Sequence, residues 1–314
     1  MSSGGQDSLL DSAEQVEQAA LARARGGSGG GQAAGASVAD EQDAVERPVP
    51  PLDPDRPAVV LAVCNQKGGV GKTTTTINLG AALAELDRRV LLVDLDPQGG
   101  LSIGLGLTPA ALEATVNDLL LDPRGTDVRD VVVQTHVPGL DLLPSNIELS
   151  AAEVQLVAEV GREQALGRAL RPLRGEYDVV LVDCQPSLGL LTVNALTAAS
   201  GVLVPLECEY FAMHGLALLV QTIEKVADRL NPDLEVLGVL ATMYDGRTLH
   251  AREVLGRVRE GFGDLVFESV INRTVKFPET STAGEPITRY AGSSPGAAAY
   301  RSLAREVLER TAAR

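Results

Sequence analysis

Cysteine, histidine, lysine and long apolar runs are all scarce in this chain. Among its 314 residues are three cysteines, Cys64, Cys184 and Cys208. They lie too far apart for a zinc site or a disulfide framework, which points to a reducing cytosol. The three histidines, His136, His214 and His250, are equally scattered, so no histidine-built metal cluster is expected. No stretch approaches the roughly 18 uncharged apolar residues of a membrane span, and the first residues, SSGGQDS, offer no basic-then-apolar signal region. Positive charge is short too: 27 Lys and Arg face 42 Asp and Glu, a net charge of −15. That balance argues against bulk attraction to nucleic acid but leaves room for a local basic patch.

Residues 1–56 hold ten acids, four arginines and no aromatic residue, with GGSGGG at 26–31 and the proline cluster RPVPPLDPDRP at 47–57. Such a segment buries too little apolar area to offset its ordering entropy, and a disordered acidic, Gly/Pro-rich tail is expected over 1–56. Within it, DSLLDSAEQVEQAALARAR (7–25) has helical spacing. Residues 57–314 alternate instead. Apolar runs occur at 58–64 (AVVLAVC), 89–94 (RVLLVD), 140–144 (LDLLP), 178–183 (DVVLVD), 201–205 (GVLVP) and 234–242 (LEVLGVLAT), and helix-length periodic stretches separate most of them. Runs apolar on both faces, alternating with helices, predict one α/β domain with a mainly parallel sheet flanked by helices on both sides.

The first of these runs leads into NQKGGVGKTTTT (65–76). A Gly-Lys-Thr between strand and helix marks the phosphate loop of a P-loop NTPase. The nucleotide site is therefore expected on Lys67, Gly68, Gly69, Val70, Gly71, Lys72, Thr73 and Thr74. The glycines let backbone N–H groups turn toward phosphate oxygens, and the following helix adds its positive dipole end. Lys72 should reach the β- and γ-phosphates and the Thr73 hydroxyl should ligate Mg²⁺. The loop departs from the usual pattern: Gln66 stands where a glycine is standard, and a second lysine, Lys67, follows it. The chain has 23 arginines but four lysines, and two of the four are here. A compact ammonium fits a tight phosphate cradle where a planar guanidinium does not. Two further strands end in carboxylates. VLLVDLDPQGG (90–100) carries Asp94 and Asp96, able to hold Mg²⁺ through water or to orient a nucleophilic water, and Asp183 closes DVVLVD as a Walker B aspartate would.

KGGVGKTTT, VDLDPQG, VDCQPS, PLECEYFA (205–212) and TMYDGRT (242–248) follow one another in this order. Over residues 57–312 the chain resembles the ParA/Soj branch of the deviant Walker A ATPases, in the ParA/MinD superfamily. The resemblance implies an Mg²⁺-dependent ATP hydrolase in which two subunits sandwich two ATP molecules. Lys67 would reach the partner's phosphates in trans while Lys72 works in cis, an arrangement with the logic of an arginine finger. Asp96 would orient the attacking water, and Thr73, Asp96 and Asp183 would form the metal side of the site. Implied as well are a homodimer with ATP, non-specific DNA binding, a ParB-like or chromosome-organising partner that stimulates hydrolysis, and a cytoplasmic, nucleoid-associated location. The chain departs from the family text at Gln185, where a proline is usual, and at Gly100, where an asparagine is usual. VINRTVKFPETSTAGEPI (270–287) is related to the partition-protein text without matching it, as in a paralogue of the chromosome-partition ATPase.

Strand-end loops bordering the phosphate loop leave the adenine between Thr242-Met243-Tyr244 and Pro286-Ile287, with Met243 and Pro286 as its expected contacts. Residues 240–314 carry eleven basic side chains against nine acids, so +2 there leaves −17 for the first 239 residues. Arg247, Arg273 and Lys276 read as loop cations with no acid beside them and are the expected DNA-binding residues; the resemblance itself implies DNA contact for Arg247 and Lys276. Aromatic interleaving is absent, so the contact would be to phosphate. The competing readings are a MinD-like membrane ATPase and a nucleotide-switched scaffold with little hydrolysis. An iron–sulfur relative would need cysteines on the switch segments, which DLDPQGG lacks. Against membrane insertion, the last helical stretch (297–314) sets Tyr300, Leu303, Ala304, Val307 and Leu308 on one face without Phe or Trp, and Glu306 and Glu309 dilute its arginines. That face is expected to dock on the core.

Overall fold

The six apolar runs become strands because each is apolar on both faces and is covered on both. In the computed structural model, which describes residues 49, 56–209 and 212–313, they form β1 (Val59–Val63), β2 (Val90–Leu95), β4 (Leu140–Leu143), β5 (Val179–Cys184), β6 (Gly201–Glu207) and β7 (Glu235–Tyr244). The tail expected over 1–56 lies outside the described residues except for 49 and 56. Two strands absent from the sequence reading, β3 (Val133–Gln134) and β8 (Val266–Asn272), close the sheet at its two edges. The order is β3-β4-β2-β5-β1-β6-β7-β8, with every pair parallel except β3–β4. β2 and β5 are buried at every position, as central parallel strands must be. The order reverses about β1, which has β5 on one side and β6 on the other. Ligands bind at such a reversal, beyond the strands' carboxyl ends.

Eight helices matter below: α1 (Lys72–Ala84), α2 (Gly100–Gly104), α3 (Leu149–Leu156), α4 (Leu190–Ala198), α5 (Ala212–Arg229), α6 (Leu249–Phe262), α7 (Lys276–Ala283) and α8 (Pro295–Ala312). One core layer joins the sheet to α1 and α8 through Leu79, Leu83, Tyr300, Leu303 and Val307; the other joins it to α3–α6 through residues such as Leu149, Leu191, Leu219 and Val258. Helix α1 approaches the sheet so closely that a Cβ on Gly80 would stand 2.7 Å from Leu92 Cδ2. The expected docking of α8 is observed: Tyr300, Leu303, Ala304 and Val307 are fully buried. Glu306 is a correction. It does not face solvent to dilute the arginines; it is 3% exposed and accepts from the Glu268 and Ser269 amides at 2.9 and 2.8 Å. Its carboxylate thus satisfies edge-strand donors that would otherwise be stranded.

Candidate functional site

The loop between β1 and α1 is held open by backbone geometry and pinned from three sides. Gly69 and Gly71 have φ of 78° and 83°, values that side chains with a Cβ rarely adopt. Asn65 Nδ2 donates to the Pro205 carbonyl at 2.7 Å, and the Lys67 amide donates to Asn65 Oδ1 at 3.0 Å. Thr242 Oγ1 donates to the Val70 carbonyl at 2.8 Å. Lys72, the first residue of α1, is buried, and its Nζ donates to the Lys67 carbonyl at 3.0 Å. Burial lowers the Lys72 pKa, opposed chiefly by the nearby Asp183.

Asp183, expected as the Walker B aspartate, lies near the end of β5, level with Val63 on β1 and with Asp94 on β2. Thr73 Oγ1 donates to Asp183 Oδ2 at 2.6 Å, and Thr76 Oγ1 reaches Oδ1 at 3.3 Å. Thr73 and Thr76 are one helical turn apart, so the TTTT run puts both hydroxyls on the same face of α1. Asp183 is completely buried, and burial first, then the Asp94 charge, pushes its pKa up to about 8. Asp94 is buried as well and raised to about 6, again mainly by burial. Its Oδ2 accepts from the Ser102 amide and hydroxyl at 2.9 and 2.8 Å, and its Oδ1 from the Asp96 amide at 3.3 Å. Asp94 therefore ties β2 to α2 and shapes the loop rather than facing the phosphate loop. Asp96 is half-buried beyond the strand end, its Oδ1 accepting from the Gln98 amide at 2.9 Å.

These raised pKa values fix a pH dependence. Free carboxylates ionise near pH 4, so from about pH 4 up to the folded values the native chain binds more protons than the unfolded one, and stability falls as pH rises. Asp245, held down to about 2 by Arg247, loses its contribution only in strong acid and does not act in that window. The thermal midpoint of the nucleotide-free chain should fall steadily from about pH 5 to about pH 8 in a scanning unfolding series. A flat or rising midpoint would mean that Asp94 and Asp183 are ionised in the folded chain.

Lys67 lies apart from the Lys72–Thr73–Asp183 cluster. Half-exposed, its Nζ donates to Glu207 Oε2 at 3.0 Å and to Glu209 Oε2 at 2.5 Å. Burial works against it, but Glu209 and Glu207 hold the ammonium above its ordinary pKa. The sequence reading missed both acids. Their signal was available, since ECE at the end of β6 repeats the spacing of DLD at the end of β2.

The two departures from the family text have distinct surroundings. Gln185 Nε2 donates to the Glu153 carboxylate at 3.2 and 3.4 Å, and Glu153 Oε1 also accepts from the Leu191 amide at 3.3 Å, which bridges α3 to the start of α4. A Cβ on Gly100 would meet only Thr73 Cγ2 and Oγ1 at 3.8–3.9 Å, ordinary contact, so glycine is not demanded there. Of the expected adenine contacts, Met243 is half-buried at the end of β7 with a φ of 49°, and Pro286 is buried. The turn after Pro286 is anchored to α1, because the Ile287 amide donates to Asn78 Oδ1 at 2.6 Å. Asn78→Ala leaves that buried amide unpaired, at an expected cost of about 1–3 kcal/mol. Urea unfolding reads the cost directly, and an unchanged midpoint would show that the turn holds itself.

The three expected DNA cations do have acids beside them, contrary to the sequence reading. Arg247 forks onto Asp245, two bonds of 2.8 Å, because the YDGRT turn folds the pair together. Lys276 starts helix α7 instead of lying in a loop, which brings Glu279 within 2.8 Å one turn later. Arg273 Nη2 meets Glu207 Oε1 at 2.9 Å, a partner 66 residues away that only the sheet could bring near. Arg247 and Lys276 remain exposed at the surface, with side chains 90% and 46% accessible.

Residues 58–236 match a family described as an AAA domain. The sporulation initiation inhibitor protein Soj of Bacillus subtilis is 48% identical over 79% of this chain and 97% of its own length. The chromosome partitioning protein ParA of Caulobacter vibrioides is 48% identical over 81% of this chain and 95% of its own. A crystal structure of cobyrinic acid a,c-diamide synthase from Mycobacterium smegmatis, with bound ADP and magnesium, is similar with a TM-score of 0.72 at 46% identity. The match covers 82% of this chain and 97% of that one.

Proposed function

The chain belongs to the ParA/Soj family of P-loop ATPases, and on that premise we propose that it hydrolyses ATP with Mg²⁺ and acts in chromosome or plasmid partition. It forms an ATP-dependent dimer that binds DNA without regard to sequence, at the nucleoid, and a ParB-like or chromosome-organising protein stimulates its hydrolysis. The carrying observation is the cluster of Lys72, Thr73 and Asp183 at the carboxyl ends of β1 and β5. Hydroxyl and carboxylate oxygens are hard donors and suit Mg²⁺. Thr73 and Asp183 would hold it, with Asp183 giving up its proton as it does so. Held there, Mg²⁺ would supply positive charge to the phosphates of the nucleotide. Lys72 holds the phosphates of its own subunit, Lys67 serves those of the partner, and Asp96 orients the attacking water. The adenine lies between Met243 and Pro286.

Two observations favour this reading over the others. The apolar face of α8 is spent on the core, which favours a partition ATPase over a MinD-like one, whose membrane helix would need that face free for the interface. One route to ammonia from an amide donor uses a reachable nucleophilic thiol. Cys64, Cys184 and Cys208 are all buried, which gives no support to amide synthesis of the kind that names the M. smegmatis protein.

Arg247 and Lys276 supply the DNA contact. Two phosphate contacts per subunit make about four in the dimer, enough for a log–log salt slope of about −3.6. An electrophoretic shift series on unrelated duplexes tests this. Binding should need ATP, ignore sequence and follow that slope. It should vanish in Arg247→Glu and Lys276→Glu while dimer and ATP binding persist. Variant dimers that shift DNA at wild-type concentrations would remove this surface from the DNA site.

A further inference from the structure

Glu207 is one carboxylate shared by two cations. Its Oε2 accepts from Lys67 Nζ at 3.0 Å and its Oε1 from Arg273 Nη2 at 2.9 Å. The three side chains differ in exposure: Glu207 is 13% accessible, Lys67 47% and Arg273 64%. A carboxylate that far removed from water needs a cation beside it. Glu209, at 57%, is hydrated and can lose its partner at little cost. Arg273 is held by its backbone, whose amide donates to the Tyr244 carbonyl at 3.0 Å. Its guanidinium is permanently charged and can fork onto both carboxylate oxygens.

We propose that Arg273 is a positioning residue for Lys67, not a DNA contact: it keeps Glu207 neutralised when Lys67 leaves for the partner subunit's nucleotide. The proposal rests on the reading of Lys67 given above. The sign of the coupling follows from electrostatics. With Arg273 in place, its charge both satisfies Glu207 and repels the neighbouring ammonium, so Lys67 departs readily. Without it, Lys67 is the sole counter-ion of a largely desolvated carboxylate and stays. Glu207 is then a clamp whose strength Arg273 sets.

The chain has four lysines, Lys67, Lys72, Lys225 and Lys276, so amine acetylation can be read residue by residue by mass spectrometry, with exposed Lys225 as internal reference. In the nucleotide-free chain, Arg273→Gln should slow labelling of Lys67 and Glu207→Gln should speed it. Each change should be about two- to fivefold, the range an exposed ion pair supports. With ATP, Arg273→Gln should weaken dimerisation in sedimentation while leaving ATP affinity unchanged. The double variant Arg273→Gln/Glu207→Gln should restore the dimer. A merely structural or DNA-contacting arginine gives no such rescue. Labelling unmoved in both single variants, or a double variant as defective as Arg273→Gln, overturns the proposal. A wild-type chain with no ATP-dependent dimer removes the function reading and this proposal together. A wild-type dimer matched by an unaffected Arg273→Gln removes this proposal alone.

Discussion

Lys72→Ala should lose most of the ATP affinity, whereas Lys67→Ala should leave it nearly intact and lose the ATP-dependent dimer. The two lysines lie five residues apart in one loop, and their surroundings separate them. Lys72 is 7% exposed and its ammonium closes the loop onto the Lys67 carbonyl, beside Asp183. A phosphate entering the cradle displaces a neutral carbonyl from a buried cation and gains a charge-assisted bond. Removing one partner of a desolvated charge pair costs about 2–5 kcal/mol. At about 1.4 kcal/mol per decade, that is about a 30- to 4,000-fold loss of affinity. Lys67 is already neutralised within its own chain by Glu207 and Glu209. Its removal takes little from the phosphates of the same subunit, and its charge counts only where a partner's nucleotide draws it away. Titration calorimetry with ATP and sedimentation of the ATP-bound chain read the two effects separately. Equal loss of ATP affinity in both variants would show that Lys67 acts in cis.

The parts of this site that the sequence made legible are those whose signal is local. A glycine-rich loop between an apolar strand and a helix fixes Lys72 and Thr73 from spacing alone. A carboxylate at the end of a doubly buried strand fixes Asp183, because only the carboxyl edge of a parallel sheet tolerates an acid after such a run. Other features depend on pairings that text does not carry. β8 escaped because Glu268 and Ser269 interrupt its apolar run, and their amides are satisfied by Glu306 from a helix 37 or 38 residues later. Arg273 read as a free loop cation because its acid sits on β6, two strands away across β7. Asp94 and Asp96 could not be told apart by alternation. What separates them is Ser102, whose amide and hydroxyl both go to Asp94 and commit it to shaping the loop. Gln185 departs from the family text, and its side-chain amide finds a partner in Glu153, which lies 32 residues earlier in the chain.

Asp96→Ala should bind ATP and dimerise as the wild type does but turn over about 10²–10⁴-fold more slowly, the usual worth of a proton-transfer or water-positioning group. The loop carrying Asp96 is anchored by its backbone: its carbonyl accepts from Ser145 Oγ at 3.0 Å and from the Gly99 amide at 2.9 Å, and its own amide donates to Asp94. The side chain contributes one local bond, to the exposed Gln98 amide, which water can replace. Truncation therefore removes the carboxylate while leaving the loop, and with it the phosphate cradle, in place. Lys72 and Thr73 keep their hydrogen bonds to the Lys67 carbonyl and to Asp183. A variant so altered loses transition-state stabilisation without losing ground-state binding, which lowers the rate constant and spares the affinity. Rapid-quench single-turnover hydrolysis with Mg²⁺, set beside an ATP titration and sedimentation of the same preparation, separates these quantities. The slow variant should accumulate as the ATP-bound dimer. Hydrolysis at the wild-type rate would remove Asp96 from the chemistry, and a matching fall in ATP affinity would assign it instead to binding.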